Sequence, residues 1–499
     1  MVKDIVIGID SSTTATKAIA WNSEGYPLAE GRSVIPLSNP RPGWYEQNPE
    51  DWWKSAYESL QQLWKTVSPE RVAALAIANQ RETVVPLDKK GNAVRPAILW
   101  LDERCFDEVT WLSDKVGKEN LHHITGRPPD MTTAVYSVAW MLRREKELYK
   151  QVNKFVEVHG YLVGKLTGEL KTSWASADPM GVFDIHEQEY STTILEALEL
   201  APHHFAEAFE SATPLGEVTS EAANATGLQK GTLVVAGGGD GQAAGLGLNA
   251  TSSERAYLNL GTAVVSGIYS QEAHITPACR TLIACNGGYI LETLLRSGTF
   301  LLTWFVDTFL DGKADWERLE HEASNVPLGS EGLLLVPHFS GCMTPYWDGG
   351  ARGVLLGLSG AHKRPQLYRA LLEGLTLEQV MMTQGVEEFS NKKIEEYVLT
   401  GGGANNKLWS QMVADVSGKQ VLHPHSTEAT NLGAGMLAAV AAGWYKTRNE
   451  AAASMSQVVG SLEPNAKNHQ RYQDLLAVYR KVYPQVNTLN QKLSSFRTS

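Results

Sequence analysis

A chain of 499 residues is too long for one ordinary hydrophobic core, so two or three domains are expected. With 43% hydrophobic and 20% charged residues it reads as globular rather than disordered. The formal net charge of −11, without any long Lys/Arg block, argues against a nucleic-acid partner. No stretch approaches the roughly 18 consecutive apolar residues of a membrane span, and Asp4 and Asp10 interrupt the apolar N-terminus, so no secretory signal is expected either. The expectation is a soluble, cytoplasmic chain. Cys105, Cys279, Cys285 and Cys342 form no CxxC and read as free thiols of a reducing compartment. The doublets His122-His123 and His203-His204 lack the second ligand cluster that a metal site needs.

In chain order, Ile5 to Asp10 reads as a short strand buried on both faces. Ser11 to Thr14 is a polar turn, Thr16 to Trp21 a second strand, and Asn22-Ser23-Glu24-Gly25 a hairpin turn. Val72 to Ala78 is strand-like, Val84 to Leu87 continues into a turn, and Pro96 to Leu101 is another apolar run. Apolar spacing of three or four predicts helices around 133–150 and 190–200. Leu233 to Ala236 is a strand running into Gly237-Gly238-Gly239-Asp240, after which a small-residue helix starts at Gln242. The pattern then restarts: Ala256 to Leu260 is a strand, Gly261-Thr262 a turn, and Ala263 to Tyr269 a strand. This repeat of the layout at 5–21 suggests an internal duplication with its boundary near residue 248. Val398-Leu399-Thr400 leads into Gly401-Gly402-Gly403-Ala404 and a helix to about Val416, and residues 429–442 form a Gly/Ala-rich helix suited to close packing against a sheet.

Three of these turns, Asp10 to Thr14, Gly261-Thr262 and Gly401 to Ala404, follow apolar strands and expose consecutive backbone N–H groups. Each is either an ordinary turn or a cradle for phosphate oxygens. A carboxylate such as Asp10 beside phosphates is placed to hold Mg²⁺ through water. The usual nucleotide fingerprints are absent. Gly160 to Leu166 is one residue short of a P-loop and has Leu166 where Ser or Thr is required, and Gly433 to Ala438 fits GxGxxA without a preceding strand. Asp240, after three glycines, is either a helix N-cap or a carboxylate exposed to take a hydroxyl proton in phosphoryl transfer. Arg81 and Glu82, at a strand end, are either a surface ion pair or a pair of acceptor ligands. The second reading requires the backbone to leave the strand there, because adjacent strand residues face opposite ways.

Together these segments resemble the FGGY carbohydrate kinases, the family of glycerol kinase, xylulokinase and ribulokinase. Gly8-Ile9-Asp10 with Thr13, Thr14 and Lys17 is similar to the family's first phosphate loop, and Gly237 to Gln242 to the segment holding its catalytic base. Gly353 to Leu358 with Gln366 to Glu373 resembles the family's second signature, and Gly401 to Trp409 its adenosine-binding segment. The resemblance implies an α/β fold of two actin-like (ribonuclease H-like) ATPase domains with an interdomain cleft. It places an acceptor-binding domain at 1–248 and a nucleotide-binding domain at 249–499. It implies ATP and Mg²⁺, with Asp240 as catalytic base, Asp10 near the metal, and Arg81, Glu82, Trp100, Asp240 and Gln242 around the acceptor. Thr13, Thr14, Lys17, Gly261, Thr262, Gly402, Gly403, Ala404 and Asn406 would lie along the nucleotide.

Arg81-Glu82, Gly43-Trp44 with Glu46, and Pro345 to Asp348 are similar to glycerol kinase. Pro96 to Trp100, Asp102 and the Gly-Gly-Gly-Ala segment are closer to xylulokinase. The tyrosine that lines a glycerol pocket falls on Met131 or Thr132, which favours a longer ketose or polyol. Glycerol itself, or an actin-like ATPase switch with no acceptor, are the rival readings. The partners implied are a small sugar or polyol, with a homodimer as the candidate assembly and neither nucleic acid nor membrane.

Overall fold

The computed structural model describes residues 2–494 and 496. Strands β1 (Ile5–Ser11), β2 (Ala15–Trp21) and β3 (Pro27–Val34) form an antiparallel meander, followed by helix α1 (Pro49–Leu63). Strand β4 (Val72–Asn79) pairs parallel to β1. Helix α2 (Val158–Thr167) intervenes, then β5 (Pro214–Glu217) pairs antiparallel to β6 (Leu233–Gly239), which is parallel to β4. The sheet order is β5-β6-β4-β1-β2-β3. Helix α3 (Asp240–Gly247) starts directly from the end of β6.

The second half repeats the scheme. Strands β7 (Arg255–Leu260) and β8 (Val264–Ser270) are antiparallel; β9 (Arg280–Ile283) and β10 (Tyr289–Leu295) extend the meander on β8. After the 27-residue helix α4 (Arg364–Ser390), strand β11 (Glu396–Thr400) pairs parallel to β7. Helix α5 (Lys407–Ser417) leads to β12 (Gln420–Pro424), parallel to β11, and helix α6 (Ala429–Ala441) to the antiparallel edge strand β13 (Val458–Leu462). Its order is β9-β10-β8-β7-β11-β12-β13, so both sheets carry an antiparallel meander, two parallel strands and an antiparallel edge.

Strands β1, β2, β4 and β6 of the first sheet are buried on both faces, and their alternation sorts the side chains. Ile5, Ile7, Ile9, Leu75 and Ile77 join the core beneath α1 and α2. Val6, Ala74, Ala76 and Ala78 face α6. Small residues are required on that side because α6 comes very close: a Cβ on Gly8 would overlap the Asn431 carbonyl, and one on Gly433 would overlap the carbonyl of Ala243 in α3. The Gly/Ala-rich helix of the C-terminal half thus covers the sheet of the N-terminal half and crosses α3. The two glycine motifs that fail as nucleotide fingerprints are helix interior, Gly160 to Leu166 within α2 and Gly433 to Ala438 within α6. The predicted helices around 133–150 and 190–200 are Ala134–Arg144, Lys146–Tyr149 and Thr192–Ala197. All four cysteines are buried and unpaired.

One buried polar contact holds β6 in place. The Gly237 N–H donates to His159 Nε2 on α2 at 3.0 Å, and Nδ1 of the same ring lies 3.2 Å from the Thr172 hydroxyl. Burial pushes the imidazole down to about 3, which keeps Nε2 free to accept.

Two outcomes follow from this packing. Gly433→Ala should lower unfolding stability by about 1–3 kcal/mol, because the added methyl meets backbone that cannot rotate away. Gly460→Ala, whose Cβ would meet nothing within 4 Å, should stay within about 0.5 kcal/mol; thermal melts of both variants check the contrast. Because the folded His159 titrates below its unfolded value, its contribution is intact above about pH 6.5 and is lost as pH falls toward about 3. The loss amounts to about 2 kcal/mol by pH 5. A His159→Gln variant, whose amide oxygen can accept from Gly237, should show a shallower fall of melting temperature between pH 6.5 and 4.5 than the parent chain.

Candidate active site

Parallel pairing brings distant segments together. Ser11, Asn79 and Gly239 are register partners at the ends of β1, β4 and β6, so the residues that follow all emerge at one edge of the sheet. In the second sheet β7 and β11 are likewise parallel, and Gly401 lies against Leu260 and Gly261. These two edges bound a cavity of about 490 Å³.

Of the residues singled out in sequence, Thr13, Arg81, Glu82, Trp100, Asp240 and Thr262 line this cavity. Arg81 and Glu82 both reach it because the strand has already ended at Asn79 and Glu82 adopts φ +60°, turning the chain out of the pleat. Trp100 is 36% exposed on the cavity wall, and its indole N–H donates to Thr13 Oγ1 at 3.0 Å. Met131 and Thr132 line the same wall. Asp240 is the first residue of α3, after the N-cap Gly239. Its Oδ1 accepts from the Gly241 N–H at 2.7 Å and from Arg81 Nε at 2.9 Å, which leaves Oδ2 for a ligand.

Other expected residues lie outside the cavity. Gln242 is the clear departure: its side chain is fully buried, and Nε2 donates to the Ala175 carbonyl at 2.9 Å. A residue two positions into α3 has rotated away from the face that carries Asp240. Thr14 is exposed beside the first turn. Lys17 pairs with Glu428 at 2.8 Å and with Glu30 at 3.4 Å. Gly402, Gly403 and Ala404 form a 3-10 turn at the end of β11, next to the Gly261-Thr262 turn. The Asn406 side chain is occupied as the N-cap of α5, accepting from the Trp409 N–H at 2.8 Å.

Asp10 sits beneath the cavity with Oδ1 buried and without a hydrogen-bond partner. Burial, then the charges of Asp240 and Glu428, push its carboxyl up to about 7 against the pull of Lys17. A carboxylate with an unsatisfied oxygen and excess negative charge around it fits a divalent cation that keeps most of its own water. No side-chain cage of three or more His, Cys, Asp or Glu exists among the described residues, and Mg²⁺ does not need one.

Several cavity residues escape any sequence reading. Arg280, Arg296 and Phe300 come from the second half and reach the same space as Arg81 and Glu82. Glu292 lies just behind them, fully buried and ion-paired to Arg81 and Arg280. Burial raises its carboxyl, but the two guanidinium groups outweigh burial and hold it well below the ordinary value.

Comparison with known proteins identifies the family. Residues 5–247 match the N-terminal domain, and residues 256–442 the C-terminal domain, of the FGGY family of carbohydrate kinases. A xylulose kinase of Bacillus subtilis is 30% identical over 99% of this chain and 99% of its own length. One from Escherichia coli is 30% identical over 96% of this chain and 99% of its own. The solved ligand-bound xylulose kinase from Lactobacillus acidophilus superposes with a TM-score of 0.93 over 98% of this chain and 99% of that one, at 22% identity. The fold is accordingly a pair of actin-like α/β domains about a cleft, and the activity is ATP-dependent phosphorylation of a small sugar. The chain belongs to the FGGY family of carbohydrate kinases.

Proposed function

We propose that this kinase phosphorylates a short linear ketose or polyol, with xylulose as the first candidate, and that Asp240 is its catalytic base. The observation that carries the reading is the pairing of Asp240 with Arg81 on the wall of a cavity that Glu82 and Trp100 also line. The acceptor's neighbouring hydroxyls would donate to Glu82, whose two protein bonds both use Oε1, and its carbon chain would lie against Trp100. The attacking hydroxyl gives its proton to Asp240 Oδ2 as its oxygen bonds to the γ-phosphorus of ATP, while the bond from that phosphorus to the β,γ-bridging oxygen breaks and its electron pair leaves with ADP. Arg81 and the Gly241 N–H hold Oδ1 and so fix the direction of Oδ2. N–H groups of the turns at 13–14 and 261–262 would receive phosphate oxygens. Asp10, with its unsatisfied oxygen, would hold Mg²⁺ through water; bound there, the ion supplies positive charge to the phosphates.

A longer acceptor is supported by the two curated relatives described above, which are named xylulose kinase. No described helix is long and apolar enough to cross a membrane, and a cytoplasmic homodimer completes the proposal. Exposed Leu355, Leu356 and Leu358 offer a candidate contact surface for it.

A coupled ADP assay over pentuloses, hexuloses, pentitols, gluconate and glycerol should give the highest kcat/KM with a pentulose. Fast turnover on glycerol alone overturns the acceptor reading, and ATP hydrolysis indifferent to every acceptor overturns the kinase mechanism. Asp240→Asn should cut acceptor phosphorylation by about 10²-fold or more while ATP binding, followed by quenching of tryptophan fluorescence, is retained.

A further inference from the structure

Around the cavity floor seven side chains of alternating charge form one chain of ion pairs. Arg81 joins Asp240 at 2.9 Å and Glu292 at 3.1 Å, and Glu292 is paired to Arg280. Arg280 Nη1 donates to Glu82 at 3.1 Å, Arg127 to the same Glu82 oxygen at 3.2 Å, and Arg127 again to Asp178 at 2.7 Å. Asp178 in turn accepts from the Ile283 N–H at 2.9 Å. Five of the seven belong to the first half of the chain. The central pair, Arg280 on β9 and Glu292 on β10, belongs to the second half and sits between Arg81 and Glu82.

We propose that Arg280 and Glu292 are positioning residues supplied by the second domain, which set Arg81 and Glu82 for the acceptor only when the cleft is closed. This rests on the acceptor reading given above. Arg280 is only 4% exposed, yet it lines the cavity. Its guanidinium spans two carboxylates that lie on different domains, Nη1 reaching Glu82 while Nε and Nη2 reach Glu292. Tyr257 fixes Glu292 from its own domain, donating its hydroxyl at 3.2 Å.

Withdrawing the second domain would remove one of the two donors to Glu82 and leave Arg81 with Asp240 alone. A buried charge that loses a partner is strongly disfavoured, so the acceptor ligands have their working geometry only in the closed form. Acceptor binding and closure are therefore one event, and closure is what excludes water from the transferring phosphoryl group. Lysine cannot replace the arginine here, because a point ammonium lacks the planar fork that bridges two carboxylates.

The test uses the full chain and Arg280→Lys, which keeps the charge and loses the span. With acceptor and ATP varied separately, the acceptor KM should rise about tenfold or more while the ATP KM stays within about threefold. Adding Glu82→Gln to Arg280→Lys should cost much less in kcat/KM than Glu82→Gln alone, because the two act on one ligand. An acceptor KM unchanged in a folded Arg280→Lys protein, or both KM values rising together, overturns the proposal. Should Arg280→Lys melt without a cooperative transition, Glu292→Gln takes its place in the same two measurements. A rise in the acceptor KM alone then supports the proposal, and no change or a joint rise overturns it. A parent chain inactive on every acceptor removes the acceptor reading and this inference with it, whereas an active parent with an unmoved acceptor KM in the variants removes this inference alone.

Discussion

Parallel pairing of β1, β4 and β6 is the constraint on which the rest of the molecule depends. Because Ser11, Asn79 and Gly239 stand in register, three segments separated by up to 228 positions in sequence leave the sheet at one edge. Whatever follows each strand must share that edge: a hydroxyl-rich turn after β1, Arg81-Glu82 after β4, Asp240 after β6. The second sheet does the same with the turns after β7 and β11. Open α/β sheets collect ligands at the carboxyl ends of their parallel strands for this reason, and here two such ends face each other across one cavity.

The charges gathered there are stable only in company. Asp10 has Lys17 alone to lower it, and burial with the charges of Asp240 and Glu428 raises it. Glu292 is at least as buried yet is held low by two guanidinium groups. Burial raises both carboxylates, and the strength of the guanidinium pairing at Glu292 reverses the outcome there. Asp178 shows the intermediate case, raised to about 6 by burial despite Arg127 and Arg81.

Much of this was legible in the sequence. Apolar runs bounded by polar turns located β1, β2, β4, β6, β7, β8 and β11, because a strand covered on both faces must be apolar throughout. Asp240 was legible because three glycines before a carboxylate are unusual, and Arg81 with Glu82 because a charged pair closes an apolar strand. Gln242 lies buried away from the cavity, because proximity in sequence to Asp240 does not survive the 100° turn per residue of a helix. Arg280 and Glu292 were invisible, since each is a lone charge within its strand and the residues they hold in the first half, Glu82 and Arg81, lie some 200 positions away. Nor could periodicity tell which sheet the helix at 429–442 would cover.

That last helix ties the two halves together in time as well as space. The first sheet is fully specified by residues before 248, yet the face bearing Ala74, Ala76 and Ala78 is sheathed largely by α6, synthesised some 180 residues later. During translation the early half must therefore wait with an alanine-lined surface bare, and neither half can be cut free at the sequence repeat without stripping the other. What looks like a tandem duplication is, as a folding unit, a single interlocked body.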